Sequence, residues 1–60
     1  MNKEYFYFRH SIHPETKYLA KLNEDTGAYD VYDENRIFLK SFTPDEVVQK
    51  VGTEWVLIAE

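Results

Sequence analysis

Lys17-Tyr18-Leu19-Ala20-Lys21-Leu22-Asn23, then Glu24-Asp25-Thr26-Gly27, then Ala28-Tyr29-Asp30-Val31-Tyr32 is the stretch whose reading decides the fold. Two runs rich in β-formers flank a tight polar loop, and Gly27 can take the positive φ that a bulged hairpin turn requires. A hairpin follows. Asp33-Glu34-Asn35 repeats the device, with Asn35 expected in the left-handed position, and Arg36-Ile37-Phe38-Leu39-Lys40-Ser41-Phe42 leaves it as a third strand. Two tight turns therefore predict a three-stranded meander, with Tyr29 and Val31 on one face and Ile37 and Leu39 together on one face of the next strand.

Outward from this centre, Thr43-Pro44-Asp45-Glu46 marks a helix start by several independent signals: Thr as N-cap, Pro at the first helical position, acids in the first turn, and Glu three residues after the cap. The expected helix covers 44–51. Val47, Val48 and Val51 share one side of it, Lys50 lies in the last turn, and Gly52 is placed to end it. Two turns of helix are marginal in isolation, below about 12–15 residues, so the valines must pack on the sheet. The run 53–59, Thr53-Glu54-Trp55-Val56-Leu57-Ile58-Ala59, is apolar on both faces and reads as a central or covered strand.

Toward the N-terminus, Tyr5-Phe6-Tyr7-Phe8-Arg9 predicts a first strand with Phe6 and Phe8 on one face and Tyr5 and Tyr7 on the other. The stretch 10–16, which holds His10, His13 and Pro14, reads as a loop with exposed histidines. The fold class expected is α+β: a small antiparallel sheet of about five strands in the order β-loop-β-β-β-α-β, one short helix on one face, and residues 1–60 as a single domain.

The chain has 60 residues, 43% of them hydrophobic and 17% aromatic, with no cysteine. Size scaling gives burial of roughly 6,000 Å², and if a little over half is apolar this contributes about 90 kcal/mol. Ordering the chain at about 1.5 kcal/mol per residue costs about as much, so the core must be efficient. Phe6, Phe8, Leu22, Val31, Ile37, Leu39, Phe42, Val47, Val51, Trp55 and Leu57 are its expected members.

The same composition narrows function. Without cysteine there is no disulfide scaffold, zinc ribbon or thiol nucleophile. His10-Ser11-Ile12-His13 with Glu15 does not make a metal site, because a three-residue interval brings two imidazoles together on a helix whereas this stretch reads as a loop, and no further His or Cys is available; neither Ser11 nor Ser41 sits in a nucleophile elbow. No metal, cofactor or enzymatic activity is therefore expected. No apolar run reaches the ~18–20 residues of a membrane span, and Met1-Asn2-Lys3-Glu4-Tyr5 lacks a signal-peptide core, so a cytoplasmic protein without membrane partners is expected.

Charge is concentrated. The formal net charge is −4, but Glu24, Asp25, Asp30, Asp33 and Glu34 fall in a stretch with no Lys or Arg, and the rest of the chain is nearly neutral. Asp and Glu suit hairpin tips, which explains part of this. The functional reading is an acidic hairpin edge that meets a basic partner or, more sharply, imitates the phosphates of DNA. Tyr5, Tyr7, Tyr18, Tyr29 and Tyr32 form a second constellation. One face of a sheet with a single helix is open, and Tyr5, Tyr7, Tyr18 and Tyr32 are the candidates for contact there.

Lys17 and Lys21 point away from Tyr18, and the lysine stripe reads as lying beside the aromatics. Direct nucleic-acid binding is accordingly disfavoured, although an aromatic sheet face is a known platform for single strands. In size and composition the chain is similar to small accessory proteins of phages and mobile elements, some of which imitate DNA, a likeness that carries over no individual residue. The expectation is a non-enzymatic module that binds a protein partner. A DNA-mimic inhibitor and a weak single-strand binder are the alternatives, and with two sheet edges and one uncovered face the expected fold admits a homodimer that buries that face or pairs an edge.

Overall fold

In the computed structural model, which describes residues 4–58, the elements run β1 (Tyr5–His10), β2 (Tyr18–Leu22), β3 (Tyr29–Tyr32), β4 (Phe38–Phe42), α1 (Pro44–Lys50) and β5 (Trp55–Ile58). The strands form one sheet in the order β4-β3-β2-β1-β5, and every neighbouring pair is antiparallel. The α+β class and the meander are as the sequence implies. Ala59 and the residues before Glu4 lie outside the described residues.

The meander turns differ from each other. In the first, the Gly27 N–H donates to the Asn23 carbonyl at 2.7 Å, the Asn23 side chain accepts from the Asp25 N–H, and Gly27 takes φ 77°. In the second, the Arg36 N–H closes on the Asp33 carbonyl at 3.0 Å, and the Asp33 carboxylate accepts from the N–H groups of Asn35 and Ile37. The left-handed residue is Arg36, at φ 65°, and not Asn35. With Asp33 holding the N–H of Asn35, the turn keeps Asn35 at negative φ and passes the reversal to the next residue, the pattern of a three-residue hairpin loop.

A bulge between Val31 and Tyr32 then changes the phase of β4. Val31 pairs with Lys40 and Tyr32 with Phe38, leaving Leu39 as the extra residue. Ile37 and Leu39 therefore do not form a buried stripe; they are 58% and 50% exposed. Leu57, also expected in the core, is 52% exposed.

The helix begins as its sequence dictates. The Thr43 side chain accepts from the Glu46 N–H at 3.2 Å, and the Glu46 carboxylate accepts from the Thr43 N–H at 2.9 Å, closing a capping box. It ends one residue earlier than expected, at Lys50, and of the three valines expected on the sheet Val47 is buried and Val51 packs against the core, but Val48 is 75% exposed. Val51 (φ −67°, ψ 127°) and Gly52 (φ 86°) turn the chain, and the Thr53 N–H donates to the Lys50 carbonyl. That is the geometry of a type II turn, in which the third residue needs positive φ.

The crossover through α1 carries the chain from one sheet edge to the other, so β5 lies outside β1 and is not a central strand. Its apolar character on both faces has another cause. Trp55 packs under the helix, and Ile58 pairs with Tyr7 on the opposite, likewise apolar face.

The core lies between that helix and the sheet: Phe8, Ala20, Val31, Val47 and Trp55 are buried, with Phe6, Tyr18, Tyr29, Phe42 and Val51 packed against them. Trp55 stacks on Phe8 at 3.9 Å between ring centroids and meets Phe42 edge-on at 5.1 Å. Offset and edge contacts of this kind add to the area each ring buries. Ala20, missed as a core residue, is wholly inaccessible because it pairs with Phe6 and Val31 beneath the rings. Its small side chain leaves them room.

Candidate interaction surfaces

Register determines which side chains share the helix-free face. Direct cross-strand partners lie on the same side of a sheet. The pairings Ile58–Tyr7, Tyr7–Leu19, Leu19–Tyr32 and Tyr32–Phe38 thus run as one continuous apolar row across all five strands. Tyr5 and Val56 flank it at 48% and 41% exposure. Tyr5 meets Tyr7 edge-on at 5.9 Å, and Tyr32 meets Phe38 edge-on at 5.9 Å. Of the candidate tyrosines, three share this face. Tyr18 belongs to the other one, stacked on Phe8 at 5.4 Å.

Cations lie among these rings. Tyr5 pairs with Lys21, and Arg9 with Val56, while the Lys17 ammonium stands 4.3 Å from the Tyr7 ring centroid. The reading that set the lysines beside the aromatics is corrected: alternation along β2 separates Lys17 and Lys21 from Tyr18, but only the pairing with β1 reveals that they join Tyr5 and Tyr7. A shallow recess of about 310 Å³ opens here, lined by Tyr7, Lys17, Leu19, Asp33, Glu34 and Arg36.

The acidic residues do not form one edge. β3 is an interior strand, and its two turns lie at opposite ends of the sheet, Glu24 and Asp25 at one and Asp33 and Glu34 at the other. Asp30 lies between them on the open face, opposite Lys21. Two of the five carboxylates also hold the structure together. Asp33 caps its own turn, and Asp30 accepts from the Ser41 hydroxyl at 2.7 Å and from the Asn23 amide at 3.3 Å.

On the helix side, the seven-residue helix leaves a second recess of about 160 Å³. It is lined by the buried Phe8, Val31 and Trp55, by Tyr18, Leu39 and Phe42, and by His10, Lys40 and Lys50. His10 is a strand residue, half-buried and edge-on to Tyr18 at 5.4 Å, where a loop was expected. His13 is exposed, 3.6 Å from the Glu15 carboxylate. The lysines approach one ring: Lys40 and Lys50 lie 5.2 and 5.6 Å from the centroid of Phe42. Sequence alone could not reveal this recess, because Leu39 reaches it only through the bulge.

Among the described residues no group of three or more His, Cys, Asp or Glu side chains is arranged to hold a metal ion. Among them, too, no helix is long and apolar enough to cross a membrane. No protein-family model, curated protein or solved structure matches the chain.

Proposed function

We propose that this chain is a small non-enzymatic binding module that acts through protein–protein contact on the helix-free face of its sheet. The observation that carries the reading is the row Ile58-Tyr7-Leu19-Tyr32-Phe38, an apolar band spanning the sheet with no layer packed over it among the described residues. A soluble domain seldom leaves a contiguous apolar band open, and Tyr supplies contact area at low entropy cost. The charged groups beside the band, Arg9, Lys21 and Asp30, would form a polar rim.

The test compares three forms of the chain as bait: the wild type, Tyr7→Ala/Tyr32→Ala, and Asp30→Asn/Asp33→Asn/Glu34→Gln. The expected partner is lost from the tyrosine variant and kept by the neutralised one. The opposite pattern would support a DNA mimic, a reading that the split of the acids between two ends of the sheet leaves with little support. Sedimentation of the same proteins at two concentrations identifies the case in which the partner is a second copy.

A second reading rests on a separate observation, the presence of Arg9, Lys17 and Lys21 on the face that holds Tyr5, Tyr7 and Tyr32. Aromatic rings interleaved with cations are the elements of a single-strand platform. Such binding is strongly salt-dependent, so absence of oligonucleotide retardation at about 20 mM salt eliminates it.

A further inference from the structure

The recess on the helix side is separate from the sheet face, and its chemistry is more selective. Its lining is mostly aromatic, and the polar residues among the described ones that line it, Lys40, Lys50, His10 and Tyr18, can each donate a hydrogen bond. Among the described residues that line it there is no carboxylate, in a chain that has 11 acids. Two carboxylates outside the recess share these lysines: Glu54 approaches Lys50 at 3.5 Å in an exposed pair of the weak surface kind, and exposed Glu46 is attracted by both Lys40 and Lys50.

Size restricts the occupant. At about 160 Å³ the recess falls below the roughly 300–1,000 Å³ of sites that enclose a whole small molecule. It matches one six-membered ring, since a cavity of about 150 Å³ holds benzene. Aromatic anchors that fill a pocket, ringed by polar contacts, are the usual energetic centre of a protein interface.

We infer that this recess receives a single aromatic side chain from an acidic segment of a partner protein, with the ring against Tyr18, Leu39 and Phe42 beside the buried Trp55 and the flanking carboxylates on Lys40 and Lys50. The inference does not depend on the function proposed for the opposite face. Trp55 is the sole tryptophan, so its emission reports occupancy directly.

The experiment titrates the full chain with a capped five-residue peptide carrying one Phe between pairs of acidic residues, followed by Trp55 emission and by amide shifts. The expected result is a saturable change at Tyr18, His10 and Trp55, with Kd raised about tenfold or more in Lys40→Glu/Lys50→Glu. Lys40→Gln/Lys50→Gln, which avoids adding like charges near Glu46 and Glu54, should give a smaller rise in the same direction.

Equal binding by a peptide with Lys in place of the acids, or with Ala in place of Phe, overturns the inference. Shifts confined to Tyr7, Leu19 and Tyr32, or no binding at millimolar peptide, do the same. If phenylacetate alone saturates the recess as tightly as the peptide, the occupant is a small aromatic acid and the assignment to a protein segment fails.

Discussion

Arg36 occupies the left-handed region at φ 65° in the turn between β3 and β4, a conformation that costs an L-residue about 1–2 kcal/mol. The turn tolerates it because three hydrogen bonds surround it: Arg36 N–H to the Asp33 carbonyl, and the Asn35 and Ile37 N–H groups to the Asp33 carboxylate. Arg36→Gly removes the steric cost while adding freedom to the unfolded chain, for a net gain of roughly 0.5–1 kcal/mol. Urea melts should show a higher midpoint at unchanged slope, and a midpoint equal to or below wild type would refute the strain. Asp33→Ala should lower it, since two N–H groups lose their acceptor. Gly27 was legible in the sequence because its turn needs a residue without Cβ. Arg36 was not, because the residue that takes positive φ depends on which N–H groups Asp33 captures.

Among the elements, the helix was the most legible and its start is the most testable. Thr43 and Glu46 close a reciprocal box, and Glu46 is held below its ordinary pKa of 4.5, first by the Thr43 backbone N–H and then by the Thr43 hydroxyl, with Lys40 and Lys50 adding to the pull. Partial desolvation opposes them. Because the folded-state pKa is depressed, the contribution of Glu46 is present in full above its unfolded value and is lost as pH falls through the folded one.

Thr43→Ala should cost about 1 kcal/mol at pH 7, because the Glu46 N–H loses its side-chain acceptor. Its deficit relative to wild type should shrink as pH falls through the folded-state pKa of Glu46, where the hold of the Thr43 hydroxyl on the carboxylate is lost. Thermal melts at pH 7 and at successively lower pH measure the deficits; a deficit that does not change would mean that the Thr43 hydroxyl adds nothing to the hold on the carboxylate, because the backbone N–H of residue 43 still donates to Glu46 in the variant. The strands were legible as strands because their residue types and turns are local signals. The faces of β4 and the edge position of β5 were not, since a one-residue bulge and a helical crossover are settled by packing against distant residues such as Val31 and Trp55. The same limit hid the candidate surfaces: the tyrosines stood out in the sequence, but their company of lysines followed only from register.

At the scale of the molecule, the crossover leaves the sheet, among the described residues, with two edge strands of complementary direction. With every neighbouring pair antiparallel in the order β4-β3-β2-β1-β5, strands β4 and β5 run the same way at opposite ends. If β4 of one copy paired with β5 of the next, the contact would be head-to-tail and would not close, the geometry of a filament. Both edges carry exposed apolar residues, Ile37, Phe38 and Leu39 on one side and Val56 and Leu57 on the other. The edges are nonetheless blunted. β5 is four residues long, and its Trp55 carbonyl already accepts from the Gly52 N–H at 2.9 Å. β4 is bent by its bulge and interrupted by the exposed charge of Lys40, the residue type that protects edge strands. Lys40→Val removes that protection and leaves an apolar run from Ile37 to Phe42 broken only by Ser41. The variant should assemble with a steep concentration dependence in light scattering, and the assemblies should be rich in sheet by infrared absorption. Lys21→Val deletes the same charge from the interior strand β2, where no edge is available, and should assemble less. Equal assembly by the two variants would make the effect one of net charge and hydrophobicity, with no special part for the edge.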